Sequence, residues 1–252
     1  MTIKIALTGK SGSGKTTILK AFLKTLKEKF SEKSILLLDN DLTCDLAQTF
    51  SLDIRKTIYG IRSGKHEYRT GIPENMSKQE FVEWALEDIV VQIDENIDIV
   101  VSWLSGVKDC RCPINGLINS AVKKLIERYD FVIVDCEYDL KYLAQLVDID
   151  IDLALVVANP TVESLILAKR IADYSAKYAV GGQLGIVLNK VKREKSNNLT
   201  VMLNDLGIEI VGAIPFDENL EAGSLTKDSE IVNYAIKELY PRLNLPQENS
   251  LW

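Results

Sequence analysis

A single histidine, His66, stands in the polar stretch Ser63-Gly64-Lys65-His66-Glu67. One imidazole rules out a multi-histidine metal centre and argues against a Ser-His-Asp hydrolase. Basic residues are in deficit, with 30 Lys and Arg against 36 Asp and Glu for a net charge of −6. Nonspecific binding to DNA or anionic membranes needs a surplus of cations near phosphates, so neither partner is expected. Long apolar runs are missing too. Phe131 to Val134 and Leu153 to Ala158 have strand length, far below the roughly 20 residues that cross a bilayer. Met1 leads directly into an alternating pattern without the basic start and apolar run of a secretory signal, so a cytoplasmic location is expected. The four cysteines are then expected to remain reduced. No repeat, low-complexity tract or Pro/Gly-rich linker interrupts the chain, and one domain over residues 1–252 is expected.

What is present is a chain rich enough in apolar residues, 46%, to bury a sizeable core. Strand-length apolar runs alternate with helical periodicity, the pattern of a mostly parallel sheet of about seven strands flanked by helices on both faces. The expected strands are Thr2 to Leu7, Ser34 to Asp39, Ile97 to Leu104, Asp130 to Asp135, Asp152 to Ala158, Leu184 to Asn189 and Ile208 to Ala213. Leu140, Leu143, Leu146 and Val147 recur at helical spacing, as do Leu165, Ala168, Ile171 and Ala172 after Pro160. Ser77 and Glu80 have capping-box spacing before another helix, and Pro113 suits a first helical position. Leu42 to Asn75 is the least regular stretch.

The strongest chemical signal is Gly9-Lys10-Ser11-Gly12-Ser13-Gly14-Lys15-Thr16-Thr17, which satisfies G-x-x-x-x-G-K-[ST] between a strand and an amphipathic helix. Glycines let successive N–H groups turn toward phosphate oxygens, and the helix N-terminus adds favourable potential. This makes the α/β fold a P-loop NTPase, with Gly9, Ser11, Gly12, Ser13, Gly14 and Thr17 lining the nucleotide phosphates. Lys15 would neutralise the β and γ phosphates and the Thr16 hydroxyl would ligate Mg²⁺. Asp39 and Asp41 follow the second expected strand, and Asp135 ends the fourth. In a parallel sheet these ends share the edge that carries the loop. Asp135 would hold Mg²⁺ through its water shell and Asp41 would orient or deprotonate the attacking water; the alternative for both is capping of the next helix or turn. Asn189-Lys190-Val191-Lys192 bears on the base. A guanine site needs a carboxylate two residues after the first lysine, and Lys192 cannot accept those hydrogen bonds, so adenine and hence ATP is favoured, with Asn189 as base contact. The alternative for Asn189 is a turn residue, and the short basic run of Lys190, Lys192, Arg193 and Lys195 reads as a solvated loop. A small-molecule kinase would use the same loop but needs covering arginines, and no arginine cluster is present.

Cys110-Arg111-Cys112 precedes Pro113, at the start of a helix where the dipole favours thiolate. Two thiolates make half of a tetrahedral site, and a twofold dimer would complete it with Zn²⁺ or, in a planar or distorted arrangement, Ni²⁺. The alternative is a pair of thiols with no metal. Cys44 and Cys136 read as packing residues.

Taken in order, Gly9 to Thr17, the Asp39-Asn40-Asp41 triplet, Cys110 to Pro113, Val132 to Asp135, Leu188 to Lys190 and Ala213 to Asp217 resemble the CooC-type ATPases. These belong to the dimeric deviant-Walker group together with the MinD, ParA and nitrogenase iron-protein families. The likeness spans nearly the whole chain outside Leu46 to Asn96. It implies an ATP-dependent homodimer that binds metal through its C-x-C pair and assists nickel insertion into a client enzyme, carbon monoxide dehydrogenase or acetyl-CoA synthase. By motif, Lys10 would be the lysine that reaches the partner's nucleotide, Asp41 the water-activating residue, Cys110 and Cys112 the metal ligands, and Pro215 a neighbour of adenine. The sequence departs from the pattern at Ser11, where the family has glycine, and in the absence of glycine from Asp135 to Asp139. A ParA or MinD type positioning protein is the other reading of the group, disfavoured by the acidic charge and by Pro241 and Pro246 near the C-terminus.

Overall fold

In the computed structural model, residues 2–41, 43–52, 56–63, 71–102, 113–136, 150–178, 180–192, 196–221, 229–243 and 245 are described. Eight strands form one sheet: β1 (Ile3–Gly9), β2 (Ile35–Asn40), β3 (Val91–Asp94), β4 (Ile97–Val101), β5 (Phe131–Cys136), β6 (Ile151–Ala158), β7 (Val180–Val191) and β8 (Gly212–Pro215). Their spatial order is β3-β4-β2-β5-β1-β6-β7-β8. All pairs are parallel except β3 with β4. The interior strands β1, β2, β5 and β6 are near-continuous apolar runs because helices cover both faces and neither face meets water.

Strand alternation divides the core between the two faces. Ile3, Ile5 and Leu7 of β1 pack with Ile18, Leu19, Phe22 and Leu26 of α1 (Lys15–Lys29) and with Val232, Ile236 and Leu239 of the last α-helix. Ala6, Leu36, Leu38, Val132 and Val134 face the opposite layer. That layer contains α3 (Ile58–Ser63), α4 (Lys78–Glu87) and α5 (Pro113–Ile126), after the one-turn α2 (Asp45–Thr49). Under β6 and β7 the same layer continues with α6 (Val162–Tyr178) and α7 (Ser196–Leu206). Among the described residues two more helices follow, α8 (Glu218–Glu221) and α9 (Glu230–Leu239), and then a 3-10 turn at Tyr240–Arg242. Phe22 and Tyr240 are both fully buried, with ring centroids 5.9 Å apart. Each such ring contributes roughly 2 kcal/mol by leaving water.

The expected Ser77 capping box is present: the Glu80 N–H donates to Ser77 Oγ at 3.2 Å, and the Ser77 N–H to Glu80 Oε2 at 2.7 Å. The sequence reading needs two corrections. The described residues form eight strands, because Val91–Asp94, which was not among the seven expected, is an antiparallel edge strand turned back on β4 at Glu95-Asn96. Its polar Gln92 and Asp94 and its largely exposed pattern hid it, and the Lys27–Asp94 ion pair helps blunt that edge. The last strand is Gly212–Pro215; Ile208 and Ile210 instead pack beneath α6 and α7. The irregular Leu42 to Asn75 stretch holds two short helices, α2 and α3. The expected helix at Leu140 to Val147 lies outside the described residues, as do His66, Arg193 and Lys195. Among the described residues no helix is long and apolar enough to cross a membrane.

Candidate nucleotide site

Residues 10–14 connect β1, the middle of the sheet, to α1. Gly9 and Gly14 have φ of 145° and 94°. A Cβ on Gly9 would lie 2.2 Å from the Val157 carbonyl oxygen, and one on Gly14 would lie 2.2 Å from Asn189 Nδ2. Both positions therefore require glycine on two counts, backbone conformation and space. Lys15 opens α1 and is buried, its Nζ donating to the Gly9 carbonyl at 3.2 Å. The ammonium is thereby drawn back across the loop. Lys10 is exposed, and its carbonyl accepts the Ser13 N–H at 3.0 Å.

Parallel pairing sets Asp39 of β2 opposite Asp135 of β5, and Asp135 opposite Leu7 of β1. The Thr16 hydroxyl donates to Asp135 Oδ2 at 2.9 Å. Asp135 Oδ1 is buried and has no hydrogen-bond partner, as is also true of Ser13 Oγ. Burial raises the Asp135 pKa to about 7, Asp39 and Asp41 add repulsion, and Lys15 and Thr16 oppose the shift. Asp39 is raised to about 6, again mainly by burial, although it accepts the N–H of Ala47 at 2.9 Å and of Asp41 at 3.2 Å. Asp41 accepts both the N–H and the hydroxyl of Thr43 at 2.9 Å on Oδ1. A dry carboxylate with an orphaned oxygen beside a threonine hydroxyl has the hard donor character that Mg²⁺ takes. Mg²⁺ uses one or two carboxylates and fills its remaining positions with phosphate and water.

One cleft runs from the loop toward β8. Its polar end is lined by Ser11, Gly12, Gly14, Lys15, Thr16 and Thr17, with Asp41 and Asp45 beside them. At the other end stand Asn189 and Lys190, then Pro215, Phe216 and Asp217, with Leu220 and Val232. The sheet edge thus brings together the loop, Asp41, Asn189 and Pro215. Asn189 does more than face the cleft. Its Nδ2 donates to the Ser13 carbonyl at 2.8 Å, its Oδ1 accepts the Lys190 N–H at 2.9 Å, and Lys190 Nζ donates to the Gly12 carbonyl at 3.3 Å. The end of β7 therefore braces the phosphate loop from 176 residues away in sequence.

Sequence reasoning gave no role to Asp39, Lys190, Phe216 or Asp217. Asp39 and Asp217 were within reach, as members of the motifs that carried Asp41 and Pro215. The brace from Lys190 had no local signal. Lys192 is exposed at the surface, but its Nζ lies 4.3 Å from the centre of the Phe216 ring. Cys110 and Cys112 lie outside the described residues. Cys136 is buried. The Cys44 thiol is pushed up to about 11, chiefly by burial and then by Asp39, Asp41 and Asp45, so it remains protonated at neutral pH.

The family described as the CobQ/CobB/MinD/ParA nucleotide binding domain matches residues 4–229. An uncharacterized ATP-binding protein of Methanocaldococcus jannaschii is 28% identical over 251 residues, covering 98% of this chain and 93% of its own. The carbon monoxide dehydrogenase accessory protein CooC of Rhodospirillum rubrum is 22% identical over 242 residues, covering 87% of this chain and 86% of its own. The MinD cell division protein of Aquifex aeolicus shares the fold with a TM-score of 0.67 at 21% identity, over 97% of this chain and 99% of that one. The chain belongs to the CobQ/CobB/MinD/ParA nucleotide-binding domain family of P-loop ATPases.

Proposed function

We propose that the protein hydrolyses ATP as a homodimer and uses that cycle to handle Ni²⁺ or Zn²⁺ at Cys110 and Cys112 for the maturation of a nickel enzyme. The carrying observation for the ATPase is the Thr16–Asp135 pair with its unsatisfied buried oxygen, placed at the mouth of the glycine loop. Thr16 and Asp135 would hold Mg²⁺, which when bound neutralises charge on the transferring phosphate. Loop N–H groups from Ser11 to Thr16 would bind the phosphate oxygens. Lys15, already poised over the loop, would swing from the Gly9 carbonyl to the β and γ phosphates. Thr43 occupies Oδ1 of Asp41, so Oδ2 is the oxygen offered to the attacking water. As the water oxygen bonds to phosphorus the bridging P–O bond breaks, giving ADP and phosphate. Exposed Lys10 would extend to the nucleotide of the second subunit, and Asn189 and Pro215 would flank adenine.

The metal reading rests on Cys110-x-Cys112 directly before α5 and is supported by likeness to CooC, an accessory protein of carbon monoxide dehydrogenase. A carbon monoxide dehydrogenase or acetyl-CoA synthase would be its client. Size exclusion coupled to metal analysis, with a nonhydrolysable ATP analogue, tests this reading. We expect a dimer carrying about one Ni²⁺ or Zn²⁺, lost in Cys110→Ser and Cys112→Ser. A monomer, or metal retained without the cysteines, overturns it.

A further inference from the structure

Asp217 has no part in the phosphate chemistry, yet it is only 8% exposed and lines the cleft. Its Oδ1 accepts the Asn219 N–H at 3.0 Å and the Asn219 side-chain amide at 3.1 Å. Its Oδ2 accepts the Ser229 hydroxyl at 2.6 Å. Ser229 is also buried, and its oxygen accepts the Val232 N–H at 3.0 Å as the N-cap of α9. The hydroxyl is therefore engaged as donor and acceptor at once, between a carboxylate and a helix terminus. These bonds hold the Asp217 carboxyl below the ordinary carboxylate range, Ser229 foremost, so the charge-assisted form persists at neutral pH.

The connection joins two walls of one cleft. On one side Pro215 and Phe216 continue from β8, with the Phe216 N–H bonded to the Val191 carbonyl at 3.0 Å and Lys192 over its ring. On the other side Val232, in the first turn of α9, contributes apolar surface, and Leu220 adds more. The glycine loop has the donors for phosphates, so this apolar portion is what remains for a flat, uncharged heterocycle. Its width depends on how far α9 sits from the end of β8, and the Asp217–Ser229 bond spans that separation.

We propose that Asp217 is a positioning residue for the nucleoside, clamping the end of β8 to the N-terminus of α9 through Ser229 and so fixing the slot that receives the base. This rests on the ATPase reading above. The clamp acts on the base end of the cleft alone. Its removal weakens nucleotides and leaves an inorganic phosphate chain unaffected, a split that general destabilisation does not produce.

The test compares the full-length native protein with Asp217→Ala, Asp217→Asn, Ser229→Ala and Ser229→Thr. The readouts are KM and kcat for ATP, calorimetric affinity for ATP and for inorganic tripolyphosphate with Mg²⁺, and thermal melting. We expect the ATP KM to rise about tenfold in Asp217→Ala and Ser229→Ala. In both, kcat should stay within about twofold and tripolyphosphate affinity should hold. Ser229→Thr, which keeps the hydroxyl, should behave as native. Should Asp217→Ala fail to fold, the isosteric Asp217→Asn tests the same clamp with a smaller rise in KM, because its single amide oxygen cannot accept from both Ser229 and Asn219 and its NH2 then faces a donor. Equal losses for ATP and tripolyphosphate, or a native KM in the alanine variants, overturn the clamp while the ATPase reading stands. A native protein that neither binds nor hydrolyses ATP overturns both.

Discussion

The two ends of the cleft are built on different parts of the sheet. The phosphate end stands on β1, β2 and β5, interior strands paired on both sides in unbroken register. The other end stands on β8, an edge strand of four residues whose pairing with β7 shifts register between Leu188 and Val191. Interior strands suit the first task. Buried carboxylates and an ammonium act strongly only where water is excluded and neighbours cannot move. Among the described residues the edge strand has no strand on its outer side, and its end is held by single bonds, the Phe216 N–H to the Val191 carbonyl and the Ser229 hydroxyl to Asp217. The contrast teaches that backbone pairing fixes the charged chemistry while individual hydrogen bonds shape the apolar slot.

The largest expected effect breaks the phosphate end. Lys15→Ala removes the buried ammonium that bonds the Gly9 carbonyl, and kcat/KM for ATP should fall about a hundredfold or more in a phosphate-release assay. Gly14→Ala strikes the junction of the two ends, where a Cβ meets Asn189 at positive φ. Strain and the clash should destabilise the protein by roughly 3 kcal/mol in urea unfolding.

A pH titration of the nucleotide-free protein sharpens the comparison. Asp135 at about 7 and Asp39 at about 6 are raised from 3.8. The folded state therefore keeps protons that the unfolded chain has already released. Their contribution to stability is complete at low pH and is lost as pH rises through 6 and 7. Carboxyls held low, among them Asp217 and Asp130, act oppositely and only below about pH 4. The melting temperature should thus fall by about 5 °C from pH 5 to pH 8, and Asp135→Asn should flatten the slope. An unchanged slope in that variant would show that the phosphate end is wetter than its burial implies. The smallest effect is a control remote from either end. Ser77→Ala should lower stability by about 1 kcal/mol through loss of the α4 cap and leave ATP turnover unaltered.

Legibility in the sequence followed the same division. The loop, Asp41 and Asp135 were readable because a strand end, a glycine turn and a helix start are contiguous, so local spacing encodes their geometry. The central strands were equally clear, since burial on both faces writes itself as an apolar run. Edge strand β3 was not, because a solvated strand needs no such run. Asn189 was found as a residue of the cleft, but its bond to Ser13 joins residues 176 apart in sequence and has no periodicity.

The sequence by itself determined the parallel α/β fold and the nucleotide-binding ATPase class, because each depends on short-range spacing or on burial pattern. Tertiary structure alone decided that β7 braces the loop, that Asp39 and Asp135 face one another in a dry cluster, and that Asp217 ties β8 to α9. Each of these depends on which strands become neighbours, and in a sheet ordered β3-β4-β2-β5-β1-β6-β7-β8 those neighbours are set by packing over long separations, where local pattern carries no information.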